Sequence, residues 1–403
     1  LALLIVWGRW WIRSYKHDRL LRGQWTWVPA LPFLAGDFKV HIDHTARRMV
    51  AGHDPYDKGH DWVCALFPYP PMVPRLFAWV APISTEAAIG VWLAALALIF
   101  AGTSWLVARW RGALNLAPMP PLLIAVAVLY STPVLFAMER GQSDPLVLPL
   151  LALSIWLLGD ARSSRSRWLD ALAGALLAVA AWLKYYPGLM LLGLIPFRRW
   201  TPLAAGLLVA AAIAGIDHGG VAQSVENGLA LAALGERTDD ACHATQHSIS
   251  KSWAHVCRVL RLKPMADVPG SVATALVIGP MLAVVSLAVG RVAEPWRSRL
   301  MPAYALWVIA AGTFALPYSN DYNLVFLPLA ALATWDRRDR VFVHMRMGLL
   351  LLWWQPLRLP VDGTVIFLTK LAGLWAVGAS LTSRAREAEA ASGSIPVSRG
   401  LIG

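Results

Sequence analysis

The sequence predicts an all-α, polytopic membrane protein, on three observations. Hydrophobic residues make up 57% of the 403 positions and charged ones only 15%, against about 25% charged in an average soluble domain. The mean hydropathy is +0.53. The apolar residues fall in long runs separated by short basic turns. This composition excludes a disordered chain, which lacks such apolar content, and a soluble globular enzyme, whose surface so few charges cannot cover. The 36 Lys and Arg outnumber the 24 Asp and Glu, for a net charge of +12. Placed between apolar stretches, that excess is the positive-inside pattern, so no nucleic-acid partner is expected. The 21 Trp suit a membrane–water interface. Three Cys cannot frame a disulfide scaffold.

Taken in order, the apolar stretches lie at about 86–108, 118–137, 145–159, 169–183, 185–197, 201–216, 271–290, 300–317, 322–335, 345–357 and 364–382. Together they predict a bundle of about 10–12 transmembrane helices. Several are shorter than the roughly 20 residues of a full span, and such pieces are stable only inside a bundle or lining a cavity. The chain opens at Leu1 on an apolar run ending at Trp11–Ile12. No cleavable signal peptide is readable there, and the natural N-terminus is expected further upstream. Residues 67–84 are expected to be a re-entrant or interfacial hairpin, or the bent start of the next helix. The basic runs Arg109 and Arg111, 162–167, Arg198–Arg199, 291–299, 337–346 and 384–386 belong on the cytoplasmic side. Parity then places the turn 139–145, the loop 218–270 and the segments 316–323 and 359–364 on the outer face. The basic stretch 9–22 falls on the wrong side for this rule. One domain is expected over 1–383, with outer loops at about 13–66 and 218–270. Residues 384–403 read as a disordered cytoplasmic tail.

Ionisable groups beside apolar helices are costly and therefore informative. They gather on the predicted outer side: Asp37, His41, Asp43, His44, Glu139, Arg140, Gln142, Asp144, Lys184, His247, Lys251, Asn320 and Asp321. As a helix from Asp37, residues Phe38, Ile42, Ala46 and Met49 form an apolar stripe expected to lie on the bilayer. Asp37, His41, His44 and Arg48 form a polar stripe expected to face a cavity. Asp37 reads equally as an N-cap after Gly36. His41, Asp43 and His44 are spaced to share an ion, but no HExxH or CxxC pattern accompanies them, and no metal is expected.

The turn MERGQSDP (138–145) is either a hydrated connection with Asp144 capping the next helix, or a polar ledge for hydroxyls. Lys184, between two apolar segments on the side where cations are disfavoured, either snorkels to the interface or meets a lipid-linked phosphate. Residues 250–259 can form a short amphipathic helix. Cys242 and Cys257 could pair in an oxidising compartment. His247 is a site residue or an ordinary loop residue. In LPYSNDYN (316–323), Tyr318, Asn320, Asp321 and Tyr322 have the residue types that grip a sugar, and are also ordinary turn residues.

The order GDFKVH…AGHDPYD, FPYPP, ERGQSDPLVL, WLKYYPGLML, TQHSIS, LPYSNDYN resembles that of the polyprenyl-phosphate-mannose-dependent α-1,2-mannosyltransferases, bacterial integral membrane enzymes. Their best-known members act on phosphatidylinositol mannosides in mycobacteria, and related members transfer arabinofuranose. The resemblance spans roughly residues 35–335. It implies a GT-C type helical bundle with the active site built from outer-face loops. It implies catalysis at the periplasmic or exterior side of a bacterial plasma membrane, without a cofactor. The substrates implied are a polyprenyl-phosphate sugar donor and a glycolipid or polysaccharide acceptor. Asp37 takes the position of the general base, with Lys184 and Arg140 expected at the donor phosphate. Tyr69, His41, His44, Gln142, Asp144, His247, Asn320 and Asp321 are the candidates for sugar or acceptor binding. The chain departs from the family in the basic stretch before Asp37 and in His41, where an aromatic is usual. The competing class is a transporter or flippase of a lipid-linked solute, which should show inverted repeats and mid-membrane polar residues.

Overall fold

A computed structural model describes residues 35–56, 69–113, 118–129, 131–159, 167–237, 248–294, 296–316, 321–324, 326, 348–349, 351–352 and 363–393. The expectations for residues 1–34, for Cys64 and Cys242, and for His247 and Asn320 lie outside these residues. Among the described residues there is no strand, and the fold is that of an all-helical membrane protein.

A π-helix, Phe38–Asp43, leads into α1 (His44–Val50). Then follow α2 (Met72–Leu76), α3 (Thr85–Ala113), α4 (Pro121–Leu129), α5 (Thr132–Arg140), α6 (Val147–Gly159), α7 (Arg167–Leu183), α8 (Leu189–Gly193) and α9 (Trp200–Ile216). The chain continues with α10 (His218–Arg237), α11 (Ile249–Val259), α12 (Lys263–Ala266), α13 (Gly270–Arg291), α14 (Trp296–Ala315) and α15 (Gly363–Gly393). Short 3-10 turns sit at Ala78–Val80, Asp144–Leu146, Tyr186–Gly188 and Asp321–Leu324.

Among the described residues, three helices are long and apolar enough to cross a membrane: Thr85–Arg109, Gly270–Arg291 and Thr364–Ala391. A fourth is reached if Trp200–Ile216 and His218–Ala230, bent by 99°, count as one broken span. Their outward apolar side chains, such as Leu98, Leu208, Leu276, Leu287 and Trp375, are half or more exposed, as suits a lipid-facing surface. The central helix is α14. From Met301 to Phe314 every residue is buried, the pattern of a helix that is apolar all round and enclosed by others. It packs on α6, α8, α13 and α15. Next to this core α7 and α9 make the most extensive helix pair. They meet at Gly174 and Gly206, where a Cβ on Gly174 would overlap the Pro202 carbonyl.

Several elements differ from the sequence reading. The apolar stretch 118–137 is two helices, because Ser131 caps a new start (its Oγ accepts the Val134 N–H) and Pro133 follows in the first turn. Residues 69–84 form α2 and a 3-10 turn leading into α3, in keeping with a bent entry. The expected outer loop 218–270 is largely helical: Asp217 accepts the Gly220 N–H (3.0 Å), and Ala, Leu and Glu carry α10 to Arg237. The tail expected to be disordered from 384 is helical to Gly393. The run SRAREAEAA at 383–391 is rich in Ala, Arg and Glu, which are strong helix formers, and Ala385 and Ala388 are buried. The stripe Phe38, Ile42, Ala46 does not lie on the bilayer. All three side chains are fully buried in the protein, with the Phe38 ring 5.8 Å from those of both Phe77 and Trp92. Cys257 is a free, buried thiol; its expected partner Cys242 lies outside the described residues.

Candidate active site

The site begins with a turn the sequence dictates. Helix α5 ends at Arg140, and Gly141 takes the left-handed backbone (φ 67°) of a helix C-cap, its N–H bonding back to Ala137 and Met138. Asp144 and Pro145 start the next helix one turn later. Arg140, Gln142 and Asp144 therefore project from a single tight connection. The Trp92 indole N–H holds the Gly141 carbonyl at 2.9 Å.

Gly141 also lets the first segment approach. A Cβ here would stand 2.7 Å from the Cβ atoms of Ala35 and Phe38, so the bare backbone brings Asp37 beside the turn. Ala35 itself is left-handed (φ 57°), a backbone few non-glycine residues adopt. The residues after Asp37 form a π-helix, whose widened turns are frequent at functional sites. Gly141→Ala is expected to cost about 1–2 kcal/mol in backbone strain alone, with overpacking adding about 1–3 kcal/mol. A thermal unfolding midpoint well below that of the parent, in detergent, checks this.

Two carboxylates and two cations define the geometry. Asp37 is 8% exposed. The Arg140 guanidinium approaches its Oδ1 at 2.7 Å, and the Gln142 amide donates to its Oδ2. The Tyr69 hydroxyl donates to Gln142 Oε1 at 3.0 Å. Asp144 is fully buried. Its Oδ2 pairs with Lys184 Nζ at 2.9 Å, and its Oδ1 accepts from Asn323 Nδ2 at 2.6 Å. Lys184 Nζ also lies 4.2 Å from the centroid of the Tyr69 ring, so Tyr69 touches the Lys184–Asp144 pair directly and reaches Asp37 through Gln142. Tyr56 donates to the Tyr69 carbonyl at 2.7 Å and locks that backbone.

Burial and the neighbouring carboxylates push the Tyr69 hydroxyl well above its ordinary range, so it stays protonated. His41 is lowered, first by burial, with the Arg140 and Lys184 charges adding and Asp37 opposing. The folded value thus lies below the unfolded one. His41 is neutral at pH 7, its contribution to stability is intact above about 6.5, and it is lost as pH falls through the lowered value. His41→Gln should therefore flatten the decline of thermal stability between neutral and acidic pH. A parallel decline in both proteins would contradict it.

The structure thus assembles seven of the sequence-predicted residues: Asp37, His41, Tyr69, Arg140, Gln142, Asp144 and Lys184. Gln142 and Asp144, expected at the sugar, also hold Asp37 and Lys184. His44 is half-buried one turn further, at the start of α1. Asp321 lies in the 3-10 turn, and from the same turn Asn323, which sequence reasoning passed over, reaches the site. Its signal was an amide directly before the apolar run Leu324–Val325–Phe326. Asp43 is committed elsewhere, to Arg47 (2.9 Å) and the Thr85 hydroxyl (3.0 Å). Among the described residues no three His, Cys, Asp or Glu side chains converge as a metal site.

The arrangement offers a carboxylate with oriented oxygens, two cations within reach of an anion, and a neutral histidine beside them. A family model described as glycosyltransferase family 87 matches residues 67–319, well over half of the chain. The match includes Tyr69, Arg140, Gln142, Asp144 and Lys184, and begins after Asp37. No curated protein and no solved structure gives a significant match.

Proposed function

Because the chain belongs to glycosyltransferase family 87, we propose that this membrane transferase moves a sugar, mannose, from a polyprenyl-phosphate donor to a hydroxyl of a glycolipid or glycan. The reaction takes place at the outer face of a bacterial plasma membrane, on a GT-C type bundle, with Asp37 as general base and no cofactor. The observation that carries the reading is a nearly buried Asp37 fixed by Arg140 and Gln142, next to the Lys184–Asp144 pair.

The chemistry follows from the charges. The acceptor oxygen attacks the anomeric carbon, the bond from that carbon to the phosphate oxygen breaks, and the acceptor proton passes to Asp37. Attack opposite the leaving group inverts the anomeric carbon through an oxocarbenium-like state. The leaving polyprenyl phosphate gains charge, which Lys184 and Arg140 offset. Both cations are paired with carboxylates, so neither charge stands alone in the protein. An incoming phosphate then shares the cations instead of meeting bare ones. The outward orientation rests on the Arg-rich turns at the opposite helix ends. The lipid tail of the donor lies along the apolar bundle.

The test supplies membranes containing the protein with radiolabelled polyprenyl-phosphate-mannose, and separately with polyprenyl-phosphate-arabinofuranose. Transfer of mannose to lipid-extractable or polymeric product, with release of polyprenyl phosphate, is the expected result. Transfer of arabinofuranose alone would replace the sugar and keep the mechanism. Movement of intact donor across the bilayer without its consumption would instead favour a flippase.

A further inference from the structure

We infer that Tyr69 is a positioning residue for the proposed base, acting on Asp37 through Gln142 and so fixing which atoms of the carboxylate are engaged. The inference rests on the reading of Asp37 as the base.

Hydrogen-bond polarity along this chain leaves one arrangement. An ionised carboxylate only accepts, so Gln142 must present its amide nitrogen to Asp37 Oδ2. The amide oxygen then points the other way and needs a donor. Tyr69 is that donor, at 3.0 Å. A flipped amide would set two oxygen atoms against each other at Asp37. The Tyr69 hydroxyl opposes that flip only while it is protonated, and its burial among acidic neighbours keeps it so. Tyr69 is itself immobilised, its carbonyl held by Tyr56 and its ring resting against Lys184. The route is buried throughout: Tyr69 is 5% exposed, Gln142 1% and Asp37 8%. In such surroundings a hydrogen bond is stronger and a mispaired group costlier than in water. With Gln142 on Oδ2 and Arg140 on Oδ1, the carboxylate cannot rotate, and the remaining lone pairs point in fixed directions toward the acceptor hydroxyl. Other charged groups near Asp37 are Asp144 from the turn, Lys184 from the end of α7 and His41 on its own helix.

The experiment is a double-mutant cycle on the full chain in membranes, with radiolabelled polyprenyl-phosphate-mannose as donor. Tyr69→Phe keeps the ring over Lys184 and removes only the hydroxyl. We expect kcat to fall about five- to tenfold, the effect of one lost hydrogen bond, with KM nearly unchanged. In a Gln142→Met background the same substitution should do nothing further. If Gln142→Met fails to accumulate, Gln142→Asn, too short to bridge both partners, takes its place. A Tyr69→Phe enzyme with the parent's kcat, or one whose loss lies in KM, would overturn the inference. So would an undiminished Tyr69→Phe effect in the Gln142 background. Asp37→Asn separates the two levels: if it is inactive while Tyr69→Phe is silent, only this inference falls. If Asp37→Asn is active, the reading of Asp37 as base falls with it.

Discussion

Asp37→Asn is expected to lower sugar transfer by about two to four powers of ten, the usual loss when a general base is removed. The substitution preserves volume and leaves a carbonyl oxygen for one of the two donors. What it removes is the affinity for a proton. Arg140, which loses its counter-ion, is half exposed, with a side-chain accessibility of 48%, so water can solvate it and the protein should still fold. The measurement is initial transfer rate per folded molecule, with unchanged yield and thermal midpoint as control. A rate within a few-fold of the parent would remove Asp37 from the mechanism.

Lys184→Met is expected to damage both stability and transfer. The Asp144 side chain is fully buried and that of Lys184 only 13% exposed. Removing the cation leaves a carboxylate with no charge partner in a low-dielectric interior, a change that costs about 3–5 kcal/mol. Adding Asp144→Asn removes the stranded charge and keeps an acceptor for Asn323. The double variant should therefore regain most of its thermal stability. It should not regain transfer, because the proposed role of Lys184 at the phosphate is still missing. Restored activity in the double variant would show that Lys184 serves the fold alone.

The parts of this site that were legible in the sequence are those where chemistry and chain topology coincide. Charged residues flanking apolar runs stand out because the surroundings make them expensive, which is how Arg140, Asp144 and Lys184 were found. The glycine in ERGQSDP marks a tight turn, so the clustering of its polar neighbours was predictable. Which carboxylate meets which cation was not legible. That depends on the approach of Asp37 to Gly141, a contact between segments more than 100 residues apart. Nor could periodicity reveal that Gln142 and Asp144 contact Asp37 and Lys184, since only the fold sets those distances. Asn320 and Asp321 stand out as residue types that grip a sugar, whereas the place of Asn323 beside Asp144 depends on contacts that the sequence does not display. The apolar stripe after Asp37 was read correctly as a face but assigned to lipid, since composition cannot distinguish a bilayer from the Phe77–Trp92 pair that covers it. Long uniform helices such as α3, α13 and α14 were legible because apolar length alone specifies them. Helix α10 and the end of α15 were not, because their mixed composition hides helical propensity behind polar residues.

The account turns on a lipid phosphate lying between the two ion pairs. The most direct test irradiates the full-length protein, in membranes, with a photoreactive polyprenyl phosphate and maps the labelled peptides. Labelling is expected in the segments around 140–144 and 184–186. It should be competed by unlabelled polyprenyl-phosphate-mannose and lost in the folded Lys184→Met/Asp144→Asn protein. Competable labelling confined to other segments, or unchanged in that double variant, would contradict it.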